Sequence, residues 1–598
     1  MTSGRSNRPV AFRIRSACLG LAGKVWALSV NLRKQIIAWQ DRLGLYSYSG
    51  WVWRVEQSAI RKALAQPISN FSGGRVVCFV IAEETISIPA LVRTLASLKV
   101  QGGIEWSLVL FLPAASPCLT SESLKALLTD EPQVRLIVIE DPVSIESWIT
   151  ASNELPGEWV VPLGAGDQLS QHWSSFFNRE LALHPQTEII YWDEDVQIRS
   201  GRRSQPFFKP DWSPELLFSL NYLESAAFCK KSLNSIQAAE GWIFAATQAA
   251  RQISHVPFVL QHRSPEFRLA NLARLARHAK SVRAFLSQRG AEEISVEPQA
   301  KALRVCWKTA QPLVSIIIPT KNNLVYLRRC LSTLFKKTVY GQYEVVLMDD
   351  RSTDPAVQAY YQELRAQVPN LRIVSNEPGP FNYSRVNNQG ARLAHGELLL
   401  FLNNDVEILT ADWLSELVRW AQEPGVGMVG AKLLYPNGMI QHAGIVVGMT
   451  GHANHVFAGK QPVQSEMFLS PDTLRNVSAV TGACMLVRRE VFEQVGGFDE
   501  ALSLVFNDVE LCLRVLNSGW RVVYTPAARL IHYEGRSRAR YIPPENILLG
   551  AQRLRESIMQ GDPYYNPNLS YEVNWPTLRR ATQPRRLWLL DNIVRYKG

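Results

Sequence analysis

The 598-residue chain has no hydrophobic run long enough to cross a bilayer. A spanning helix needs roughly 18 to 20 consecutive apolar residues, and the longest runs here, at 76–82 and 398–402, have the length of strands. Cysteine is sparse and scattered. The eight (Cys18, Cys78, Cys118, Cys229, Cys306, Cys330, Cys484, Cys512) include no C-x-x-C pair, which favours a reduced, cytosolic protein with buried thiols over a disulfide or zinc scaffold. Acidic residues are missing from 1–40, where seven Lys or Arg alternate with Leu, Ile, Val and Trp. A cleaved signal peptide is not expected there, because Lys24 interrupts the only apolar candidate, 17–23. The segment reads instead as an interfacial helix on anionic lipid, at the inner face of the cytoplasmic membrane; a docking helix with a basic solvated face is the alternative. Nucleic acid is disfavoured, since no recognised binding module follows.

What the chain does have is a packed composition, 46% apolar and 20% charged, which excludes disorder. Its length permits three or four domains, or two large ones. At 314–320 the β-branched run VSIIIPT is followed by Leu327, Cys330, Leu331, Leu334 and Phe335 at helical spacing, and then by a second apolar run at 344–348. Strand, helix and strand make a βαβ unit whose parallel strands share one loop edge, where ligands of open α/β sheets collect. The same phrase occurs about 236 residues earlier: a strand at 76–82, Leu91, Leu95 and Leu98 on one helix face, and a strand at 106–112. GELLLFLNNDVEI at 396–408 likewise matches GEWVVPLGAGDQL at 157–169. The chain therefore reads as a duplicated α/β domain, with a basic helical joint at 268–290 and a polar tail up to Pro312.

The second half carries an ordered set of polar motifs. Asp349-Asp350-Arg351-Ser352-Thr353-Asp354 leaves a strand, and its first two carboxylates can accept hydrogen bonds from a base and ribose; Asx and Ser turns are also ordinary strand exits. Asn403-Asn404-Asp405 follows the apolar strand 397–402. Gln441-His442-Ala443-Gly444, Thr481-Gly482-Ala483 and Gly496-Gly497-Phe498-Asp499 come next. Then Val509, Cys512, Leu513 and Leu516 form a helical stripe, with Asn507 as its expected N-cap and Asp508 in the first turn, where a carboxylate also complements the helix dipole. His532 closes the series, beside Glu534, Arg536 and Arg538.

With VSIIIPT, this set resembles the family 2 glycosyltransferases of GT-A fold, specifically the bacterial two-domain members associated with O-antigen and other surface polysaccharides. The resemblance covers about residues 75–540. It implies two tandem GT-A, Rossmann-like domains behind a helical N-terminal segment. The expected division is 1–74 (basic, amphipathic, helical), 75–267 (a degenerate GT-A-like domain), 268–311 (helical linker), 312–540 (catalytic domain) and 541–598 (C-terminal tail).

It further implies that Pro319, Asp349, Asp350, Asn403, Asn404 and Asp405 hold a nucleoside diphosphate sugar. Asp405 and His532 would bind Mg²⁺ or Mn²⁺ against its diphosphate. Asn403 stands where the family has its first motif acid, so Asp405 is the anionic ligand and Glu407 a weaker candidate. Asp508 aligns with the general base that deprotonates the acceptor and inverts the anomeric centre. His442, Thr481, Gly482, Ala483 and Asn507 fall on the sugar or acceptor side. His442, His452 and His455 are loosely spaced in a Gly-rich stretch and read as an acceptor-side loop rather than a metal site.

The first half lacks these acids: Pro113-Ala114 replaces Asp349-Asp350, and Gly164-Ala165-Gly166-Asp167 lies where the metal motif should fall. It is expected to bind glycan or to orient the active domain; a second activity through Asp167 and Asp195 is the alternative. The function expected overall is transfer of a sugar to a growing, lipid-linked bacterial surface glycan. A catalytically weak glycan-binding scaffold is the competing reading. A nucleotidyltransferase is disfavoured, because PTKNN at 319–323 lacks a Gly-rich phosphate loop.

Overall fold

The computed structural model describes residues 28–597 apart from 30, 41–45, 67–73, 82–86, 140–156, 199, 235–240, 267–270, 299–301, 462–466 and 535–542. Most of the basic N-terminal segment, together with Arg536 and Arg538, lies outside the described residues. The strands of the first half are β1 (Arg75–Ile81), β2 (Glu105–Pro113), β3 (Val134–Ile139), β4 (Trp159–Gly164), β5 (Gln168–Leu169), β6 (Ile189–Gln197), β7 (Arg203–Phe207), β8 (Ala226–Cys229) and β9 (Ile253–Arg263). A hairpin follows, β10 (Ser295–Pro298) and β11 (Leu303–Cys306). The second half contains β12 (Val314–Thr320), β13 (Tyr343–Asp349), β14 (Leu371–Ser375), β15 (Leu398–Leu402), β16 (Val406–Ile408), β17 (Val426–Leu434), β18 (Ile440–His442), β19 (Ile445–Val447), β20 (Ala453–His455), β21 (Arg475–Asn476), β22 (Cys484–Arg488) and β23 (Arg521–His532).

Two mixed sheets result. The first runs β3-β2-β1-β4-β8-β6-β9-β5 with β7 beside β6, and the second runs β14-β13-β12-β15-β22-β17-β23-β16 with β18 beside β17. Strand for strand the order repeats, and so does the direction of each pairing: β1, β2, β3 and β4 are mutually parallel like β12, β13, β14 and β15, while β8 and β22 enter antiparallel. The registers equate Val76 with Val314, 238 positions apart, close to the offset read from sequence. β12 and β15 are buried at every position, as central parallel strands covered on both faces require. The helix Leu324–Lys337 buries Leu327, Cys330, Leu331 and Leu334, which is the predicted face.

The joint departs from expectation. After the helix Asn271–Gln288 the chain does not run on as a polar tail but folds into the β10–β11 hairpin, with Val296, Leu303 and Val305 buried. The halves share one apolar core, in which Trp307 stands edge-on to Trp420 (5.1 Å) and Phe218 packs edge-on to the same indole (5.4 Å). Beside it, Glu215 accepts from Arg521 Nη2 (2.7 Å) and Asn476 Nδ2 (2.6 Å), while Ser213 Oγ donates to Asn476 Oδ1 (2.7 Å). The run FKPDWSP at 208–214 thus leads into a helix, Pro214–Ser219, whose first acid, Glu215, crosses to the second sheet.

The C-terminal tail packs rather than dangles. Tyr565, Leu569 and Val573 are buried, and Asn566 Nδ2 donates to Asp193 (2.9 Å) and to the Lys209 carbonyl (2.9 Å) of the first half. Farther on, Tyr571 and Asn574 accept from the backbone of Thr450 (2.7 Å) and Phe457 (2.6 Å) in the second. Among the described residues no helix is long and apolar enough to cross a membrane.

Removing Glu215 leaves the buried Asn476 amide without its acceptor and the half-buried Arg521 guanidinium without its counter-charge, with the Pro424 carbonyl still accepting from it. Glu215→Ala is expected to cost about 3–5 kcal/mol. Urea unfolding of the variant reads this directly, and a midpoint equal to wild type would show that the contact does not join the halves.

Candidate functional site

The motifs of the second half converge on the C-terminal ends of β12, β13 and β15, with residues before β22 and at the end of β23 closing the edge. Two loops form one wall. Asn322 and Asn323 adopt left-handed backbone (φ 49° and 56°), and Asn322 Oδ1 accepts from the amides of Thr353 (2.8 Å) and Asp354 (3.1 Å). Thr320 O accepts from Asp350 N (2.8 Å), so the exits of β12 and β13 are fastened to each other. Pro319 lies within β12, opposite Met348.

The paired acids divide their work. Asp349 is turned inward: Tyr361 Oη (2.8 Å) and the hydroxyl of Ser352 both donate to Oδ1, with Ser352 N at 3.1 Å from Oδ2. It is a strut of its own turn, its oxygens taken by Ser352 and Tyr361. Asp350 accepts from Lys321 Nζ (3.0 Å), Arg351 Nη2 (3.2 Å) and Asn376 Nδ2 (3.0 Å). Burial alone would raise its carboxyl; these donors outweigh it and hold the group below the usual carboxylate range. Lys321 and Arg351 remain partly exposed at the rim. Neither they nor Asn376 were found from sequence, where a lone Lys or Asn after a strand carries no signal.

Asn403, Asn404 and Asp405 sit deeper. Asn404 Nδ2 donates to Thr320 Oγ1 (2.9 Å), fixing the loop to β12. β16 pairs antiparallel with β23 so that Val406 faces His532, and the acid before it meets the histidine: Asp405 Oδ1 and His532 Nε2 are 3.2 Å apart, both buried. Asn403 Nδ2 lies 3.4 Å from the same nitrogen, and His532 Nδ1 is buried with no partner among the described residues. A carboxylate oxygen beside an imidazole nitrogen is a donor pair that Mg²⁺ or Mn²⁺ would accept, and Asp405 and His532 are the residues that would hold it. Glu407 accepts from Tyr533 Oη (2.8 Å) and does not join them.

Asp508 is placed by the helix Asn507–Asn517, which begins after Phe506 in a left-handed conformation (φ 66°). Asn507 is therefore the first helical residue, and the expected N-cap is corrected: its side chain is buried, with Nδ2 3.3 Å from Ser384 Oγ and Oδ1 accepting from Asp508 N (2.9 Å). This braces the acid from below rather than lining a pocket. Asp508 Oδ2 accepts from Gly482 N (3.1 Å). Gly482 O in turn accepts from Tyr383 Oη (2.8 Å), and a Cβ on Gly482 would meet that hydroxyl at 2.9 Å, which is why the residue is glycine. Since Ala483 O accepts from Asn403 N (3.1 Å), one short segment, Thr481-Gly482-Ala483, links Asp508 to the Asp405 loop. His442 is fully buried, with Nδ1 2.9 Å from His455 Nδ1.

Residues 315–496 match the family model for glycosyl transferase family 2. The chain carries a family 2 glycosyltransferase domain. Over 563 residues it is 35% identical to the O-antigen biosynthesis protein RfbC of Myxococcus xanthus, covering 90% of this chain but 43% of that protein, so it spans less than half of that relative. Over 233 residues it is 28% identical to the N-acetylglucosaminyl-diphospho-decaprenol L-rhamnosyltransferase of Mycobacterium tuberculosis, covering 36% of this chain and 74% of that one. Among solved structures, the mannosyltransferase PcManGT from Pyrobaculum calidifontis, in complex with GDP-Man and Mn²⁺, is 15% identical over 55% of this chain and 79% of its own, with a TM-score of 0.31, a likeness too weak to add to the strand order.

Against the transferase domain, the first sheet shows the same positions differently filled. Gln168 pairs with His262 as Val406 pairs with His532, so Asp167 and His262 occupy the places of Asp405 and His532. Asp167 is saturated: it accepts from Arg263 Nη1 (2.7 Å), Gln261 Nε2 (3.0 Å), Gly164 N (2.9 Å) and Ser264 N (3.0 Å). Arg263 also reaches Glu194 (3.2 Å), whose carboxyl burial would raise but Lys209 and Arg263 hold well below its ordinary range. His262 is taken by Asp195 (2.6 Å). The helix at the topological place of Asn507–Asn517 is Trp242–Ala249; it too follows a left-handed residue, Gly241, and has no acid in its first turn.

Arg263 is the cation that pairs with Asp167, and it shares Glu194 with Lys209. Arg263→Ala is expected to destabilise the chain by about 3–5 kcal/mol, because the buried Asp167 carboxylate loses its counter-charge and Glu194 is left with Lys209 alone of the two. Chemical denaturation tests it; an unchanged midpoint would mean that the cluster is neutralised without the guanidinium.

Proposed function

We propose that the chain transfers a sugar from a nucleoside diphosphate sugar to a hydroxyl of a growing bacterial surface glycan, with inversion, in its second half. The observation that carries this reading is the fastening of Asp508 to the Asp405–His532 loop through Gly482 and Ala483, which supports reading Asp508 as a base beside a diphosphate-binding edge. Asp350, with Lys321 and Arg351 around it, would take the nucleoside, and Asn403, Asn404 and Asp405 the diphosphate. Asp405 and His532 would hold Mg²⁺ or Mn²⁺, whose chemistry is to offset negative charge on the departing diphosphate. Asp508 accepts the proton of the acceptor hydroxyl as its oxygen bonds to the anomeric carbon from the face opposite the breaking bond.

The domain division given above belongs to the same proposal: two tandem GT-A domains, of which 75–267 is degenerate. Three substitutions support that part, namely Pro113-Ala114 at the nucleoside loop, the Arg263 guanidinium at the metal position, and an acid-free first turn in Trp242–Ala249. A lipid-linked saccharide is the acceptor we favour. An apolar stripe along 28–40 fits contact with a membrane surface: Leu28, Leu32, Ile36 and Trp39, three or four residues apart, are 44–68% exposed, whereas Ile37 is buried and the Arg33–Glu572 ion pair ties the other side to the tail.

Release of nucleoside diphosphate from a panel of nucleotide sugars, with and without Mn²⁺, tests the activity. Asp508→Asn should lower turnover about 10²- to 10⁴-fold while leaving nucleotide binding intact; undiminished release by this variant would exclude Asp508 as the base. For the membrane contact, Leu32→Asp combined with Ile36→Asp should abolish co-sedimentation of the full chain with phosphatidylglycerol vesicles. Equal sedimentation of variant and wild type would remove the stripe from the account.

A further inference from the structure

The histidines of the β18–β20 region form more than a loop. β19 and β20 pair antiparallel with Ile445 opposite His455, and this reversal folds His455 back onto His442, ring centroids 4.9 Å apart and planes at 81°. The hairpin is held from several sides. Val447 N donates to Asp562 (2.7 Å), Thr450 N to the Tyr571 carbonyl (2.7 Å), Val456 N to the Gly444 carbonyl (3.1 Å), and His455 N to Asn454 Oδ1 (2.8 Å). It also touches the catalytic helix, since the His452 ring stands edge-on to Phe506 (5.6 Å), the residue two positions before Asp508. Ile445, which lies opposite His455, donates its N–H to the Ala479 carbonyl (2.9 Å), three residues before the Gly482 that donates to Asp508, so the hairpin and the acid are tied to one segment.

The contact between the two rings fixes their protons. An Nδ1···Nδ1 separation of 2.9 Å is a hydrogen bond only if one nitrogen carries a proton and the other does not. His442 Nε2 is buried and has no partner among the described residues, while His455 is partly exposed and its Nε2 has none either. If His442 accepted at Nδ1, its proton would sit on Nε2 as a buried orphan donor, which native structures avoid more strictly than an unfilled acceptor. The favoured arrangement therefore has His442 Nδ1–H donating and Nε2 bare. His455 then accepts at Nδ1 and carries its proton on Nε2. Burial disfavours the charged form of both rings, so His455 presents a neutral N–H donor in a fixed direction.

We propose that His455, oriented by His442, is an acceptor-binding residue: its Nε2–H donates to the oxygen of the acceptor hydroxyl whose proton Asp508 removes. This rests on the transfer reading above. In the step, the hydroxyl proton passes to the Asp508 carboxylate and the oxygen forms its bond to the anomeric carbon. The bond from that carbon to the diphosphate breaks, and its electron pair leaves with the diphosphate. His455 neither gains nor loses a proton; it holds the hydroxyl so that O–H faces Asp508 and a lone pair faces the sugar.

The test has two arms on the full chain. Without substrate, long-range ¹H–¹⁵N spectra of ¹⁵N-histidine protein, assigned with His455→Gln, should show His455 neutral, bare at Nδ1 and protonated at Nε2; the opposite tautomer overturns the proposal. With the donor that turns over, and a panel of octyl glycosides as acceptor probes, His455→Ala should raise the acceptor KM about tenfold, the size of one neutral hydrogen bond. Binding of the nucleoside diphosphate should stay within about twofold of wild type, since His455 is no part of the donor contacts, and His455→Gln, which keeps an N–H donor, should recover most of the KM. Loss of nucleotide binding in His455→Ala, or an unchanged KM, overturns the role of His455 while leaving the transfer reading standing. An inactive wild type with every donor overturns the transfer reading itself, and this proposal with it.

Discussion

A carboxylate buried at the end of a sheet must find a positive charge, and the two halves of this chain meet that requirement in different ways. In each, the short strand after the motif pairs antiparallel with a long one, so that an acid is carried against a histidine. In the first half the charge is built in: Arg263, the residue after His262, reaches Asp167, and two backbone amides and a glutamine complete its shell. In the second half Tyr533 follows His532 and its hydroxyl goes to Glu407, while Asp405 meets the His532 imidazole, which the Asn403 amide also approaches. An arginine fills in one sheet the place that a tyrosine takes in the other, which is the difference on which the proposed cation and diphosphate site rests.

The first half also braces the second. Its Glu215 is the buried acceptor for Arg521 at the start of β23, the strand that ends in His532. Its Asp193 holds Asn566 of the tail, and the tail holds the hairpin that bears His455. Both the strand that ends in His532 and the hairpin that bears His455 are thus anchored to the first sheet. Loops that place reacting groups are otherwise the least rigid parts of a fold.

Much of this could be read from the sequence, because the relevant signals are local. VSIIIPT and LLLFL are continuous apolar runs and became central strands, and the stripe at Leu327, Cys330, Leu331 and Leu334 became a buried helix face. The order of polar motifs placed Asp350, Asp405, Gly482, Asp508 and His532 at one edge. What escaped depends on contacts between distant segments. Asp349 and Asp350 are adjacent and alike in sequence, and only the positions of Tyr361 and Asn376 separate a strut from an open acid. Asn507 has the chemistry of an N-cap, yet Phe506 takes the left-handed turn and shifts the helix start. The pairing of His262 with His532 was hidden because the spacing changes from 238 residues at Asp167 and Asp405 to 270 at the histidines, after the insertion that contains β19 and β20. The joint looked like a polar tail, although Val296, Leu303 and Val305 alternate well enough to form a hairpin.

The central claim is that two sheets of one topology provide a single nucleotide site. Calorimetric titration of the full chain with the nucleoside diphosphate of its donor, in the presence of Mn²⁺, measures it. The account predicts one nucleotide per chain, with binding lost in Asp405→Ala and unchanged in Asp167→Asn. Two nucleotides per chain, or loss of binding in Asp167→Asn alone, would contradict it.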